Sequence, residues 1–221
     1  MLEVKELYFS YTGKEPYILN NVNLNIPKGG FLSIIGENGS AKTTLLKLIL
    51  GLLKPIKGVI NTSNYSVGYV PQRMDSFNSS FPITVKELLK VHAKTLGIKD
   101  NKAIDEVLRY VNMTAFKNSL IGSLSGGQQQ RIFIGRALLG NPKLLALDEL
   151  SSGLDAKTQQ ELYELLRTLN KEKGITILSV EHNISKALAY STHIINVKDC
   201  CANLYTINDF KNTIYTQQVL I

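Results

Sequence analysis

The sequence predicts an α/β fold in which a mostly parallel sheet with helices on both faces follows an antiparallel β layer. Two short apolar runs, Phe31–Ile35 and Leu144–Leu147, are typical of strands that are buried on both faces. Apolar segments with helical spacing follow them at residues 45–49 and 162–169, and a third strand is predicted at Ile175–Val180. Strands that alternate with helices in this order favour parallel pairing.

The antiparallel layer is predicted at the start of the chain, where apolar and polar residues alternate over Leu2–Phe9 and Val22–Ile26. An inserted helical region is predicted over residues 84–117, because Thr84 and Glu87 match a capping box and apolar residues then recur at helical spacing. We expect one domain over residues 1–221, with the antiparallel part at about 1–30, the sheet core at 31–83 and 141–221, and the helical part at 84–140.

Length and composition are those of a folded domain. Of the 221 residues, 44% are apolar and 19% are charged, which is enough for a buried core and excludes a disordered polyelectrolyte. Glu3 and Lys5 interrupt the apolar stretch that a signal peptide would need, so we expect a cytoplasmic location. The adjacent cysteines Cys200 and Cys201 exclude a disulfide framework, and we expect them to be reduced packing residues.

The chain carries a net charge of +7 at pH 7, from 25 lysines and arginines and 18 aspartates and glutamates. A surplus of this size suits nucleic acid, anionic lipid or nucleotide phosphates, and charge alone does not choose among them. The basic residues are scattered, and the densest local set is Lys42, Lys47, Lys54 and Lys57.

A loop after the first buried strand matches the phosphate-binding pattern GxxxxGK(S/T) except at one position. The loop and the start of the next helix read Gly36, Glu37, Asn38, Gly39, Ser40, Ala41, Lys42, Thr43 and Thr44. In such a loop, backbone N–H groups face a polyphosphate, the lysine adds a positive charge, and the Thr43 hydroxyl ligates Mg²⁺. Ala41 replaces the last glycine, and we expect weaker ATP binding. If this position needs a left-handed backbone, a non-glycine residue costs about 1–2 kcal/mol, and if it does not, the methyl group still crowds the phosphate.

Two acidic residues, Asp148 and Glu149, follow the apolar run Leu144–Leu147. At the carboxyl end of a parallel strand, Asp148 is placed to hold Mg²⁺, and Glu149 to orient or deprotonate a water molecule. Taken alone the pair is weak evidence, because strands that leave a core often end in acidic residues. Together with the phosphate loop earlier in the chain, the pair predicts nucleotide hydrolysis.

A third motif, Leu124-Ser125-Gly126-Gly127-Gln128, opens a predicted helix. Ser125 and Gln128 match a capping box, which is a sufficient structural reason for both residues. Two adjacent glycines at a helix start nevertheless cost conformational entropy and leave several N–H groups available. The motif therefore also predicts a second anion site.

In this order, the phosphate loop, the segment Leu124–Gln128 and the acidic pair resemble the ATP-binding subunit of ATP-binding cassette (ABC) transporters. The resemblance covers nearly the whole chain and implies a P-loop NTPase fold of the ABC type, with a mixed sheet core, that hydrolyses ATP with Mg²⁺. It implies an ATP-dependent, head-to-tail homodimer in which the Lys42 loop of one copy and Ser125–Gln128 of the other hold each nucleotide. The implied partners are separate transmembrane permease subunits and, through them, a solute-binding protein, at the cytoplasmic face of the cell membrane.

The resemblance also implies roles for residues outside these motifs. Tyr11 is similar to the aromatic residue that stacks on adenine, with Tyr17 as the second choice. Gln72 is similar to the glutamine that contacts Mg²⁺ and the attacking water, and His182 to the histidine that contacts the γ-phosphate. Asp155 belongs to a segment similar to the loop that crosses the dimer interface, although it equally suits the cap of the next helix.

The segments 67–73, 81–85 and 127–131 are most similar to the zinc and manganese uptake branch of this family. The implied function is ATP hydrolysis that energises uptake of a divalent metal ion. One alternative is a soluble ABC ATPase acting on nucleic acid or ribosomes, but the chain has neither a second cassette nor a coiled-coil insert, and no nucleic-acid partner is expected. Another is a nucleotide-gated scaffold at the membrane with turnover slowed by Ala41. Leu150, where the family usually has proline, puts the rigidity of the loop after Glu149 in question.

Overall fold

The computed structural model describes residues 2–62, 66–72, 82–149 and 153–219, with side chains as far as residue 213. The chain divides into two compact units, residues 1–65 with 176–221 and residues 66–175. The finer domain boundaries expected from the sequence stay a prediction. No helix within the described ranges is both long and apolar enough to cross a membrane.

The elements are numbered in chain order. The described strands are β1 (Leu2–Phe9), β2 (Leu19–Ile26), β3 (Phe31–Ile35), β4 (Lys57–Asn61), β5 (Val67–Val70), β6 (Leu144–Asp148), β7 (Thr176–Val180), β8 (His193–Lys198) and β9 (Cys201–Thr206). The described α-helices are α1 (Lys42–Ile49), α2 (Val85–Thr95), α3 (Lys102–Tyr110), α4 (Gly126–Leu138), α5 (Ala156–Lys173), α6 (Ile184–Tyr190) and α7 (Ile207–Val219).

The first unit contains an antiparallel layer and a mostly parallel sheet, as the sequence predicts. In the antiparallel layer β1 lies between β2 and β4. In the other sheet β3 lies between β7 and β8, parallel to both, and β9 pairs antiparallel with β8. All residues of β3 and β7 are buried, which confirms that these apolar runs are core strands. Because β3 and β7 run in the same direction, their carboxyl ends meet at one edge of the sheet.

The second unit contains the parallel pair β5 and β6 with helices α2 to α5. A Cβ atom on Gly68 of β5 would lie 2.2 Å from the backbone oxygen of Ala137, so only glycine allows α4 to approach this closely. The predicted capping box is present, because the Thr84 side chain accepts a hydrogen bond from the Glu87 backbone while the Glu87 side chain accepts one from the Thr84 backbone. The predicted inserted helices are thus confirmed as α2 and α3.

The hairpin between β8 and β9 overturns the expectation for the two cysteines. Cys200 and Cys201 are both exposed rather than packed in the core. Asp199 and Cys200 form the two-residue turn, with φ values of 50° and 60°. Two successive left-handed residues match the twist of a tight hairpin, which explains why the turn points these side chains to the surface.

Candidate nucleotide site

In the first unit, the phosphate loop connects the end of β3 to the start of α1. Gly36 has a φ of 152°, and a Cβ atom there would lie 2.3 Å from the Val197 carbonyl oxygen and 2.6 Å from Ser40 Oγ. Gly39 has a φ of 82°, and both Asn38 and Gly39 are exposed on the outside of the loop. The loop is therefore folded so tightly at Gly36 that no other residue fits there.

Ala41 adopts the left-handed conformation that the phosphate-loop pattern assigns to glycine, with φ 75° and ψ 22°. An alanine pays about 1–2 kcal/mol for this conformation because of its Cβ atom. The described structure therefore carries local backbone strain at the entrance to α1. The expectation that Ala41 weakens ATP binding stays a prediction.

The ammonium group of Lys42 binds back to the phosphate loop. Its Nζ donates hydrogen bonds to the carbonyl oxygens of Gly36 at 3.0 Å and Glu37 at 2.8 Å, and the residue is only 5% exposed. In the same loop, Ser40 Oγ is buried and has no hydrogen-bond partner among the described residues. A buried hydroxyl without a partner is costly, and a phosphate oxygen would satisfy it. The ammonium group, this hydroxyl and the positive end of α1 together fit a polyphosphate.

Tyr11 is the better placed of the two candidate adenine-binding aromatics. Its hydroxyl oxygen lies 2.9 Å from the hydroxyl oxygen of Thr44, at the start of α1, while its side chain stays 68% exposed. Thr43, the residue before Thr44, is half-buried in the same turn. The ring of Tyr17 instead packs edge-on against Tyr8, with centroids 5.4 Å apart. The stacking role of Tyr11 stays a prediction.

His182 is exposed just beyond the carboxyl end of β7, at the same sheet edge as the phosphate loop. The preceding residue, Glu181, is 2% exposed, and its backbone N–H donates to the carbonyl oxygen of Ile34 at 2.9 Å. The Ser179 hydroxyl donates a short hydrogen bond to the Glu181 carboxylate. Sequence reasoning missed this buried acid, whose only signal is a charged residue directly after an apolar strand.

In the second unit, Asp148 ends β6 and is 2% exposed. The hydroxyl of Tyr69, on the neighbouring strand β5, donates a hydrogen bond to Asp148 Oδ2 at 3.4 Å. Burial, followed by the charge of Asp148 and this hydrogen bond, raises the pKa of Tyr69 to about 12, so the phenol is a proton donor at neutral pH. The sequence offered no sign of this contact, because Tyr69 resembles any other aromatic residue in a strand.

Glu149 and Gln72, two predicted catalytic residues, are in direct contact. The side-chain amide of Gln72 donates a short hydrogen bond to Glu149 Oε2. Glu149 has a φ of 51°, so the chain leaves the extended conformation directly after β6. Leu150 and Ser152 lie outside the described residues.

The segment Ser125–Gln128 forms the predicted capping box at the start of α4. The backbone N–H of Ser125 donates to Gln128 Oε1 at 2.9 Å, and the N–H of Gln128 donates to Ser125 Oγ at 3.3 Å. Gly126 is exposed, whereas a Cβ atom on buried Gly127 would lie 2.3 Å from Thr158 Cγ2. The second glycine thus has a packing reason, and the second anion site stays a prediction.

Asp155 is the cap of α5. Its Oδ1 accepts a hydrogen bond from the Thr158 backbone at 3.0 Å, and its Oδ2 accepts one from the Thr158 hydroxyl at 2.5 Å. These bonds, the side-chain one first, lower the pKa of Asp155. The capping interpretation is confirmed, and the interface role stays a prediction.

Comparison with known proteins agrees with this arrangement. The family described as ABC transporter matches residues 19–152. A Treponema pallidum (strain Nichols) protein named "Probable metal transport system ATP-binding protein" is 44% identical over 197 residues, which are 89% of this chain and 82% of that protein. The Listeria monocytogenes serovar 1/2a protein named "Zinc uptake system ATP-binding protein ZurA" is 40% identical over 213 residues, with the chains covered to 89% and 82%.

A solved structure extends the comparison to a nucleotide-bound state. It is a dimeric, post-hydrolysis structure of an ATP-binding cassette bound to ADP and Pi, with 31% identity, a TM-score of 0.75, and coverage of 94% of this chain and 99% of that chain. The phosphate loop, the capped Ser125 segment and the acidic pair thus occur in a chain whose sequence and fold both match the same group of proteins. The chain belongs to the ABC transporter family, as one of its ATP-hydrolysing cassettes.

Proposed function

We propose that the chain energises the uptake of a divalent metal ion, such as zinc or manganese, by hydrolysing ATP. The observation that carries the nucleotide part is the loop of residues 36–41, where the Lys42 ammonium binds the Gly36 carbonyl and the buried, unpartnered Ser40 hydroxyl lies close to the same glycine. The relatives from Treponema and Listeria are named for metal transport and zinc uptake, and these names support the metal part.

The residues of the first unit bind the nucleotide in this proposal. The Lys42 ammonium transfers its hydrogen bonds from the loop carbonyls to phosphate oxygens, and the N–H groups of Gly36 to Thr44 surround the same phosphates. Tyr11 offers its exposed ring to the adenine. His182 donates a hydrogen bond to the terminal phosphate, where charge develops during hydrolysis.

The residues of the second unit prepare the water molecule. Glu149 accepts a hydrogen bond from the attacking water, orients it and takes its proton. Gln72 releases Glu149 to do so, because in the described structure its amide occupies one of the carboxylate oxygens. In this proposal, the loss of this one side-chain contact makes Glu149 available to the water molecule.

Hydroxyl, amide and carboxylate oxygens are the kinds of ligand that suit a magnesium ion. We assign Thr43, Gln72 and Asp148 as the groups that hold it, directly or through water. Mg²⁺ commonly keeps several waters and binds through one or two carboxylates together with substrate phosphates. When bound, Mg²⁺ neutralises charge on the phosphate oxygens.

The proposed assembly is a head-to-tail homodimer. The Ser125–Gln128 segment and Asp155 of one copy complete the site that the Lys42 loop of the other copy begins. Gly126 supports this role. The residue is exposed and its φ is not positive, so neither packing nor backbone conformation explains a glycine at this position. Separate permease subunits hold the dimer at the cytoplasmic face of the membrane and receive the metal ion from a solute-binding protein. The metal ion itself never meets this chain.

The test is transport by the assembled complex. The chain and its permease, purified together from membranes, are placed in proteoliposomes, and uptake of radioactive zinc and manganese is followed with and without ATP. We expect ATP-dependent uptake that is lost with Lys42→Ala and kept with the exposed-surface control Lys14→Ala. ATP hydrolysis without uptake of either metal would refute the metal assignment alone.

The soluble, nucleic-acid-dependent alternative is not favoured, since the relatives are named for transport. It predicts that RNA or DNA stimulates hydrolysis and that salt abolishes the effect. The same preparation tests this directly, and no stimulation is expected.

A further inference from the structure

The side chain of Tyr69 contacts Asp148, the proposed metal ligand. The mechanism above gives Tyr69 no role. Its hydroxyl lies 3.4 Å from Asp148 Oδ2, and Asp148 is 2% exposed. A carboxylate buried to this degree has little water to orient it, so its direction is set by the protein groups around it.

The register of two strands explains how Tyr69 reaches this position. β5 and β6 pair in parallel, with Tyr69 opposite Ala146 and Val70 opposite Leu147. Side chains two residues apart on a strand lie on the same face, so Asp148 shares the face of Ala146 and Tyr69. The small side chain of Ala146 leaves room on this face for an aromatic ring. The long side chain of Tyr69 then extends along the same face to Asp148, two residues further along β6.

We propose that Tyr69 is a positioning residue that orients Asp148 for binding the magnesium ion of the nucleotide. This inference rests on the proposed function, in which Asp148 holds Mg²⁺. The phenol donates to Oδ2 and so fixes the rotation of the carboxylate, which fixes the directions of its remaining lone pairs. Tyr69 itself does not touch the metal or the substrate.

The expected size of the effect comes from other proteins in which a hydrogen-bond partner of a metal ligand has been removed. Removing such a partner typically lowers metal affinity by about 10–100-fold. The bond between Tyr69 and Asp148 is long at 3.4 Å, so the lower end of that range applies, about tenfold.

The test compares the nucleotide affinity of the full chain with and without Mg²⁺. Calorimetry gives the affinity for a non-hydrolysable ATP analogue in Mg²⁺ and in EDTA. The ratio of the two affinities is the gain in nucleotide affinity that Mg²⁺ supplies, called the gain below. Tyr69→Phe keeps the ring and removes the hydroxyl. We expect the gain to fall about tenfold while the affinity in EDTA stays unchanged.

The control variant is Tyr110→Phe, which removes another phenol that donates to a carboxylate, that of Glu106, in the same unit. It should leave both affinities unchanged. A second variant, Asp148→Asn, should remove most of the gain, and thermal unfolding of each variant checks that it is folded.

The outcomes separate this inference from the function on which it rests. If Asp148→Asn loses the gain and Tyr69→Phe keeps it, Tyr69 does not position Asp148. If Tyr69→Phe weakens binding equally in EDTA, its role is structural and the inference is again overturned. If neither variant changes the gain, Asp148 does not hold the metal, and that part of the proposed function fails first.

Discussion

The side-chain amide of Gln72 donates a hydrogen bond to the carboxylate of Glu149, two residues that are far apart in sequence and that follow the ends of neighbouring strands. The contact joins a residue that is proposed to hold Mg²⁺ to the residue that is proposed to activate water. The amide of Gln72 occupies one oxygen of the carboxylate. Movement of Gln72 is therefore proposed to free Glu149 for the attacking water.

Replacing Glu149 by glutamine is expected to slow ATP hydrolysis by about 10²–10⁴-fold, because the amide cannot accept a proton. ATP should still bind, and nucleotide-bound dimers should accumulate, since binding depends on the Lys42 loop. Phosphate release and size-exclusion chromatography with ATP measure the two effects. Glu164→Gln, at an exposed position on α5, is the control and should hydrolyse at the original rate. An unchanged rate in Glu149→Gln would remove this residue from the mechanism.

Gln72 and Glu149 should act as a coupled pair. Gln72→Ala is expected to alter the single-turnover rate in the native background and to have a smaller effect in Glu149→Gln. Contacting residues typically show interaction free energies of about 0.5–3 kcal/mol in such a cycle. Gln160→Ala, an exposed glutamine on α5, should combine additively with Glu149→Gln. Additive effects for Gln72 as well would mean that the contact has no role in hydrolysis.

Much of the site could be predicted from the sequence because its parts are local. The phosphate loop, the acidic pair and the capping boxes at Thr84 and Ser125 each depend on residues within a few positions of one another. Such patterns specify backbone conformation directly, through glycine, a capping side chain or an apolar run. The structure confirms both capping boxes and the buried strands.

Contacts between strands that are distant in sequence could not be predicted in the same way. Tyr69 meets Asp148 only because β5 and β6 pair in one particular register, and a shift of one residue would place Tyr69 on the opposite face. The burial of Glu181 likewise depends on β7 lying beside β3. The surface position of Cys200 depends on a hairpin turn in which Asp199 is a typical turn residue but Cys200 is not.

Ala41→Gly should strengthen ATP binding. Glycine removes a methyl group from the loop that is proposed to bind the phosphates, whereas the cost of about 1–2 kcal/mol that alanine pays at the observed φ of 75° is already present without nucleotide and lowers stability rather than affinity. Asn112→Gly, at another left-handed position with a φ of 58°, is the matched control, because it relieves strain away from the loop. Calorimetric titration with ATP should show tighter binding for Ala41→Gly alone. Equal affinities would mean that the alanine costs the site nothing.

Gly127→Ala should destabilise the fold through one steric contact. The new Cβ atom would lie 2.3 Å from Thr158 Cγ2, and such overpacking typically costs about 1–3 kcal/mol of unfolding free energy. Gly126→Ala is the natural control, because its Cβ atom would meet Leu154 at an ordinary 3.5 Å. Urea unfolding measures both. Adding Thr158→Ser removes the clashing methyl group but keeps the hydroxyl that binds Asp155, so it should restore stability. If stability is not restored, the loss in Gly127→Ala does not come from the contact with this methyl group.

His92, on α2, should make the stability of the chain depend on pH. Burial, and then the positive charge of Arg136 on α4, lower its pKa below the ordinary value of 6.5, so the folded state binds this proton less readily than the unfolded state. The stabilisation is present above the unfolded pKa and is lost as the pH falls towards and through the lower folded value.

His92→Gln should therefore reduce the loss of unfolding free energy between about pH 7 and pH 5, where an unperturbed histidine takes up its proton. Urea unfolding of both proteins across this range is the measurement, with about pH 8 as the reference at which both states of His92 are neutral. His193 also has a pKa lowered by burial, so part of the decline should persist in His92→Gln and disappear in the double variant with His193→Gln. A decline of the same size in the native chain and in His92→Gln would show that the proton at His92 costs the folded state nothing.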